Sequence, residues 1–136
     1  MQEVLIDSDI LSYFLKGDKE VYLKFNEYGK YFEFLKISNV SYYEIISGLK
    51  YFDPKKRIDE FRNFVNKACV ILPVTNDSIE ISSSIYAHLR QKGTPIDDID
   101  LLIAGIALEN NLVLVTNNTK YFNKIEDLTI ENWKSG

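Results

Sequence analysis

Three acidic residues of this sequence lie next to apolar segments that are predicted to be buried. Asp7 directly follows the apolar residues 4–6, Glu44 comes soon after a second strand-like segment, and Asp100 precedes an apolar helix-like run. Carboxylates held close together repel one another, and a divalent cation removes that penalty. Their oxygens suit Mg²⁺ or Mn²⁺, and two such ions about 3.5–4 Å apart can activate a water and stabilise the leaving oxygen of a phosphodiester. The residue types therefore indicate metal-assisted hydrolysis, provided that the fold brings them together.

Two of these acids also have a purely structural interpretation. Asp7 follows a strand and can cap the next helix, a role that Ser8 or Asp9 can fill as well. Ser41 followed three residues later by Glu44 matches a capping box, in which Glu44 reaches back to the Ser41 backbone. Both interpretations stay open on local sequence alone.

Asp100 is harder to explain as a simple helix start. Complementing the helix dipole stabilises a first turn by about 0.3–1 kcal/mol for each acid, and this accounts for Asp97 and Asp98. Asp100 lies about one turn in, and the residues after it are nearly all of buried types. At helical spacing it shares a face with the small Ala104. We therefore expect a carboxylate at the edge of the core that needs a partner such as a cation, with Asp98 and Asp9 in an outer layer around that cation.

The elements that must position these acids alternate between strand-like and helix-like patterns. Helices are expected over 16–30, after residue 41, from Asp53-Pro54 onward, over 77–91 and after residue 97. Strands are expected at 4–6, 33–38, 68–74, 112–115 and 128–130, and Trp133 is expected to close the core. This order predicts an α/β fold over 1–136 as a single domain, a three-layer sandwich with a mostly parallel four- to five-stranded sheet and helices on both faces.

A parallel sheet places the carboxyl ends of its strands along one edge. Asp7 follows the first strand, Glu44 lies in the helix after the second, and Asp100 opens the helix before the fourth. Asn117 follows the fourth strand directly after Thr116. We therefore expect Asp7, Glu44, Asp100 and Asn117 to converge in one pocket.

Composition narrows the class of protein. The 136 residues are 46% hydrophobic and 26% charged, which is typical of a globular protein and argues against disorder. A net charge of −4 is unusual for a nucleic-acid binder, so such a role must depend on local cations, on metal ions or on a basic partner. The single cysteine excludes an internal disulfide framework, and the single histidine excludes catalysis by a histidine pair. With no signal peptide and no apolar run of about 18–20 residues, we expect a cytoplasmic protein without a membrane segment.

Four segments occur in the order seen in PIN-domain ribonucleases, and they resemble most the VapC toxins of prokaryotic toxin–antitoxin pairs. The segments are LIDSDIL at 5–11, YEIISG at 43–48, DLLIA at 100–104 and VTNNTKYF at 115–122. The similarity continues through residues 131–133 and so covers nearly the whole chain. Each motif is weak alone, whereas four in order are fairly specific.

The resemblance implies a PIN-like sandwich and a Mg²⁺- or Mn²⁺-dependent endoribonuclease that cuts single-stranded RNA or an exposed RNA loop. The family's acidic triad falls on Asp7, Glu44 and Asp100, and its helper hydroxyl falls on Thr116. Asp7 and Asp100 would hold the metal directly, and Glu44 would assist through a water or as a further ligand. Thr116 and Asn117 would position water or phosphate.

The resemblance also implies partner proteins, and this chain differs from the family pattern at two places. Such toxins usually form homodimers and are silenced by an antitoxin whose tail blocks the acidic pocket, to which a basic segment would be complementary. Many relatives carry an acid just beyond the hydroxyl, where this chain has Asn117 and Asn118, and this bears on whether a second metal binds. Many have Asn where Asp9 stands, so Asp9 either adds a ligand or only caps a helix. The candidate contacts to the RNA backbone are Lys55, Lys56, Arg90 and Lys120.

Parts of the sequence also invite three other functional interpretations. Residues 4–9 also fit the opening of haloacid-dehalogenase-like phosphatases, but the chain is short for that fold and Asp97-Asp98 precedes a helix instead of following an apolar strand. A response-receiver domain needs an Asp at the end of the third strand, where the sequence has Pro73, Val74 and Thr75. A PIN fold that binds RNA or a partner without cutting remains open, although the complete acidic triad favours cleavage.

Overall fold

The structure is a computed structural model that describes residues 1–52 and 55–135. These residues form five strands and seven helices: β1 (Val4–Ile6), α1 (Ser8–Leu15), α2 (Lys19–Tyr28), β2 (Leu35–Ser38), α3 (Asn39–Phe52), α4 (Lys55–Ala68), β3 (Cys69–Leu72), α5 (Asn76–Gln91), α6 (Asp98–Glu109), β4 (Val113–Val115), α7 (Thr119–Phe122) and β5 (Ile130–Glu131). The predicted alternation of strands and helices is confirmed.

The strands form one sheet in the order β3-β2-β1-β4-β5, and every neighbouring pair is parallel. Leu5 in the middle of β1 lies opposite Lys36 on one side and Leu114 on the other. Because β1 is the central strand, the residue that follows it emerges at the middle of the carboxyl edge. That residue is Asp7.

The central strand β1 supplies side chains to two separate hydrophobic cores. Val4 and Ile6 pack with α1, α2 and α4 on one face, whereas Leu5 packs with α5 and α6 on the other. Successive side chains of a strand point to opposite faces, so continuous apolar runs mean burial on both sides. The predicted three-layer sandwich with helices on both faces is therefore confirmed.

The C-terminal segment returns to the first core, as the sequence predicts for Trp133. The indole is 4% exposed and packs edge-on against Phe25, with ring centroids 5.6 Å apart. It also lies against Tyr28, whose hydroxyl accepts a hydrogen bond from the Val4 N–H at 3.1 Å. The chain end is thereby anchored beside the start of the central strand.

Some element boundaries differ from the sequence prediction. The last strand is Ile130–Glu131 instead of 128–130, because Leu128 packs into the second core before the strand begins. The expected helix start at Asp53-Pro54 lies outside the described residues. Across the described ranges, no helix is both long and apolar enough to cross a membrane.

Candidate functional site

A cavity of about 370 Å³ opens at the carboxyl edge of the sheet, where β1 and β4 end and α3 and α6 begin. It is lined by Asp7, Ser8, Asp9, Glu44, Asp100, Asn117 and Asn118. The structure thus brings together the three acids and the asparagine that the sequence places at this edge. Among the residues that the structure describes, four of the lining side chains are carboxylates and none of the lining residues is a lysine or an arginine.

Asp7 is the most enclosed of these acids, with 5% of its surface exposed. One carboxyl oxygen accepts the Ser8 N–H at 2.8 Å and caps α1, and the other accepts the Thr116 hydroxyl at 2.8 Å. Burial and then the charge of Asp9 raise its pKa to about 7, against the lowering effect of the Thr116 and Ser8 hydrogen bonds. Asp7 therefore caps a helix and also presents a carboxylate that a cation would stabilise.

Asp100 lies in the first turn of α6 and is partly buried at the cavity. Its Oδ2 accepts a hydrogen bond from the Asn118 amide at 3.3 Å. Burial raises its pKa to about 6, with further contributions from the charges of Asp97, Glu44 and Asp9. As the sequence predicts, the Asp100 carboxylate lies at the edge of the core.

Glu44 does not form the capping box suggested by its spacing from Ser41. Helix α3 begins earlier, at Asn39, and the Ser41 N–H donates to the Ser38 hydroxyl at 2.9 Å. Oε1 of Glu44 instead accepts the Ser8 hydroxyl at 2.9 Å, which joins α3 to α1 across the cavity. The capping-box interpretation is therefore wrong, because it requires α3 to begin just after Ser41 and the helix begins almost one turn earlier.

Three of the hydrogen bonds that hold the loop after β4 involve Thr116 and the backbone N–H groups of Asn117 and Asn118. The buried Thr116 hydroxyl, which donates to Asp7, also accepts the Asn118 N–H at 3.0 Å. The Asn117 N–H donates to Oδ2 of Asp9 at 3.0 Å. Burial is the main cause that raises the pKa of Asp9, although its backbone hydrogen bonds to Ile10 and Asn117 lower it. Asp9 thus ties the loop after β4 to the start of α1.

The remaining predicted site residues do not line this cavity. Asp98 is exposed in the first turn of α6. The four predicted RNA contacts are exposed and are not among the residues that line the cavity: Lys55 and Lys56 at the start of α4, Arg90 with its guanidinium 4.6 Å from the Tyr86 ring centroid, and Lys120 in α7.

A PIN-domain family model matches residues 4–128 of the chain. The chain belongs to the PIN-domain family. Within it, the tRNA(fMet)-specific endonuclease VapC of Salmonella typhimurium is 35% identical over 98 residues, which cover 71% of this chain and 74% of that protein. The Shigella flexneri protein of the same name is 29% identical over 136 residues, or 98% of this chain and 99% of that one. The chain is thus a PIN-domain nuclease of the VapC type.

Solved structures agree with this assignment. A chain of the VapBC2 complex from Rickettsia felis, bound to a DNA fragment from its promoter, superposes with a TM-score of 0.87 at 26% identity and covers 96% of this chain and 98% of that one. A chain of DNA-bound VapBC from Salmonella typhimurium gives 0.86 at 27% identity, covering 98% and 100%. The PIN fold is therefore shared over essentially the full length.

Two residues of this PIN-domain site were not singled out by the sequence reasoning. Ser8 orients Glu44, and Asn118 orients Asp100. Ser8 stands between two aspartates and Asn118 follows Thr116-Asn117, so adjacency to a predicted site residue was the available signal. Their roles required the three-dimensional arrangement, because their partners are 36 and 18 residues away.

The donor chemistry of the cavity fits a divalent cation. Carboxylate oxygens are hard ligands, and burial together with neighbouring carboxylates raises the pKa values of Asp7 and Asp100, a penalty on their charge that a cation would offset. Within 1–52 and 55–135, no three His, Cys, Asp or Glu side chains already stand in a metal-ligand arrangement. A bound cation would therefore have to draw the carboxylates together.

Proposed function

We propose that this PIN-domain nuclease is a Mg²⁺- or Mn²⁺-dependent endoribonuclease that acts as the toxin of a toxin–antitoxin pair. The observation that carries the proposal is the convergence of four carboxylates on one cavity without a lining lysine or arginine. Two of them, Asp7 and Asp100, have pKa values raised to about 7 and about 6. Such a set favours a divalent cation at neutral pH. The names of the curated VapC relatives, which are nucleases, support RNA as the substrate.

In this proposal Asp7 and Asp100 hold the cation, and Glu44 contributes as a further ligand or through a water. A divalent cation supplies a Lewis acid for the phosphate and lowers the pKa of a water molecule. Hydrolysis would add the oxygen of a water molecule to phosphorus and break the bond from phosphorus to the leaving ribose oxygen, which would take a proton. Carboxylates that share the cavity with the phosphate would repel it if no cation were bound.

Each proposed ligand is oriented by a neutral donor of this chain. Thr116 donates to Asp7, Ser8 donates to Glu44, and Asn118 donates to Asp100. Hydrogen bonds of this kind orient metal ligands, so each carboxylate would have fewer conformations to lose when a cation draws the carboxylates together.

Single-stranded RNA would approach along α7. Lys120 lies two residues after the cavity residue Asn118, and the neighbouring Tyr121 ring is 40% exposed. The Nζ atoms of Lys120 and Lys124 lie 5.8 and 5.1 Å from the centroid of that ring. Exposed aromatic rings stack on bases and lysines contact phosphates, so α7 fits a single strand that enters the cavity.

The proposed partners follow from family and charge. The solved structures with TM-scores of 0.87 and 0.86 come from VapBC complexes, which supports an antitoxin for this chain. A basic segment of that antitoxin is the natural complement of the acidic cavity. We also propose that the protein forms a homodimer, as its resemblance to VapC toxins implies.

The test compares wild-type protein with Asp100→Asn on structured and single-stranded RNA, in Mg²⁺, in Mn²⁺ and in EDTA. We expect cleavage only with metal, and a loss of at least about 100-fold in the variant, because one direct ligand is replaced by a neutral amide. Asp59→Asn makes the same chemical change on exposed α4 and serves as the matched control.

Calorimetric titration with Mn²⁺ separates the possible failures. Wild-type protein that binds no Mn²⁺ would contradict the metal mechanism. Protein that binds Mn²⁺ and RNA but cuts none of the substrates would support the alternative, a PIN module that binds without cleavage.

A further inference from the structure

The side chain of Asn117 is joined to the C-terminal segment by one hydrogen bond. The Asn132 amide nitrogen donates to Oδ1 of Asn117 at 3.0 Å. An amide can be turned by 180° with little change in shape, so its orientation has to be derived from its partners. The next hydrogen bond along the chain fixes it here.

Asn132 accepts the backbone N–H of Lys134 through its own Oδ1 at 2.9 Å. A backbone N–H can only donate, so this atom of Asn132 must be the oxygen and the atom facing Asn117 must be the nitrogen. The atom of Asn117 that meets this nitrogen is therefore its oxygen. The orientation of both amides follows from one unambiguous donor.

Asn132 itself sits on an anchored segment. Trp133 beside it is buried against Phe25, and the Lys134 ammonium lies 3.1 Å from a carboxylate oxygen of Asp18. Ser135 donates through its N–H to Glu20 at 2.9 Å. The segment that carries Asn132 is therefore fixed to the first core and not merely laid along the surface.

We propose that Asn132 is a positioning residue that turns Asn117 so that its amide N–H₂ group faces the acidic cavity and donates to a phosphate oxygen of the substrate. Asn117 lines the cavity, its backbone N–H is committed to Asp9, and its oxygen is committed to Asn132. Among residues 1–52 and 55–135, no side-chain hydrogen bond uses the N–H₂ group of Asn117. The inference rests on the proposed ribonuclease function and adds a phosphate donor to it.

The orientation has a chemical consequence for the metal. An amide binds a cation through its oxygen, and the nitrogen of an amide is a donor only. With its oxygen turned toward Asn132, Asn117 contributes a hydrogen-bond donor among four carboxylates and no ligand for a second cation. Phosphate binding should therefore depend on Asn132, and metal binding should not.

The experiment measures kcat and KM for RNA and the Mn²⁺ affinity of the RNA-free protein for wild type and five variants: Asn117→Ala, Asn132→Ala, Asn132→Asp, Asn132→Ala combined with Asn117→Ala, and Asn117→Asp. We expect Asn117→Ala and each single Asn132 change to lower kcat/KM about tenfold, because one hydrogen bond to a charged phosphate oxygen is lost. The double variant should be no worse than Asn117→Ala alone. Mn²⁺ affinity should stay within about twofold of the wild-type value in the first four of these variants.

Asn117→Asp is expected to behave oppositely. Its carboxylate still accepts from Asn132, and its second oxygen then faces the cavity, so Mn²⁺ should bind more tightly while RNA binds more weakly. Ser135→Ala removes the hydrogen bond from the Ser135 hydroxyl to Glu20 in the same segment, leaves Asn132 unchanged and should retain wild-type kinetics.

Wild-type kinetics in the Asn132 variants beside an impaired Asn117→Ala would overturn the inference, as would a tenfold weaker Mn²⁺ affinity in Asn117→Ala. If the wild type cuts no RNA, the proposed function fails and a second readout still decides. Inorganic phosphate added to the Mg²⁺-loaded protein should shift the Asn117 side-chain amide signals in ¹⁵N NMR spectra. Equal shifts in Asn132→Ala would contradict the positioning role.

Discussion

Asp7 shows how one residue combines a structural and a chemical role. Its first oxygen caps α1 and its second accepts the Thr116 hydroxyl, so both oxygens are engaged before any ligand arrives. Burial nevertheless dominates and raises its pKa to about 7. The hydrogen bonds orient the carboxylate, and the remaining penalty on its charge is what a cation would remove.

This raised pKa predicts that the metal-free protein loses stability as pH rises. Between its ordinary pKa of 3.8 and about 7, Asp7 keeps a proton in the folded state that the unfolded chain has lost. Folding therefore binds protons, and the free energy of unfolding falls through this window as the pH increases. In EDTA we expect unfolding at pH 8 to cost on the order of 1–2 kcal/mol less than at pH 5.5.

Urea unfolding at the two pH values measures this difference. Asp7→Asn should remove the part due to Asp7 and leave a shallower slope from Asp100, whose pKa is raised in the same direction. A wild-type protein that becomes more stable toward pH 8 would contradict the assignment.

The hydrogen bond from the buried Thr116 hydroxyl should lower the pKa of Asp7, against the larger raising effect of burial. Thr116→Val keeps the shape but removes the donor to Asp7 and the acceptor for the Asn118 N–H, and should lower stability by about 1–3 kcal/mol at pH 8. Urea unfolding measures this loss, and carboxyl ¹³C NMR should show a higher Asp7 pKa. Thr116→Ser keeps the hydroxyl, so an equal pKa change in that variant would argue against the hydrogen bond as the cause.

At the scale of elements, the site depends on how closely α6 packs on α5. Gly105 is buried in α6, and a Cβ atom built there would overlap the Ser82 hydroxyl and lie 2.5 Å from the Ser78 carbonyl oxygen. The Ser82 hydroxyl also donates to the Leu101 carbonyl at 2.7 Å, next to Asp100. The position of Asp100 is therefore set partly by this contact between two helices.

Gly105→Ala is expected to be strongly destabilising. The clash involves a backbone carbonyl that cannot rotate away, so α6 must move, at a cost of about 1–3 kcal/mol. Gly48→Ala in α3 is the matched control, since a Cβ there meets nothing within 4 Å and should stabilise the helix by up to about 1 kcal/mol. Urea unfolding of both variants checks this, and equal effects would show that close packing is not the cause.

Helix α7 makes a separate prediction for RNA binding. Lys120→Ala, made in the non-cleaving Asp100→Asn background, should reduce the slope of log affinity against log salt by about 0.7, because one phosphate contact to a single strand is lost. Fluorescence anisotropy at several salt concentrations measures this slope. Lys67→Ala, an exposed lysine at the end of α4, should leave the slope unchanged.

At the scale of the whole molecule, large apolar side chains remain on the surface. Tyr51 and Phe52 at the end of α3 are 81% and 78% exposed, and Val70 and Ile71 on the edge strand β3 are each 39% exposed. Surfaces of this kind commonly mark contacts with other proteins. They fit a chain that works with partners.

The proposed homodimer predicts the mass of the isolated protein. Light scattering should give twice the chain mass of 15.8 kDa at micromolar concentration. Raising the salt concentration should leave this mass unchanged, because apolar contacts are not screened. A mass of one chain over the whole accessible concentration range would contradict the dimer.

The sequence alone determined the alternation of strands and helices, because apolar runs and helical spacing are local signals. It also placed Asp7, Glu44, Asp100 and Asn117 at one edge, since parallel strands share the direction of their carboxyl ends. What it could not determine is which atoms meet there. The capping-box interpretation of Glu44 was wrong because α3 begins at Asn39, before Ser41. The actual partner of Glu44 is the hydroxyl of Ser8, which lies 36 residues away and is brought near only by the tertiary structure.

The tertiary structure decided the electrostatics and the fine geometry of the site. The sheet order puts β1 in the middle, so Asp7 is buried and its pKa rises, and it meets Thr116 from 109 residues away. The link from Asn132 to Asn117 depends on where Trp133 anchors the chain end. Such contacts follow from strand order and helix rotation, which depend on the packing of the whole core and are not written in any local pattern of residues.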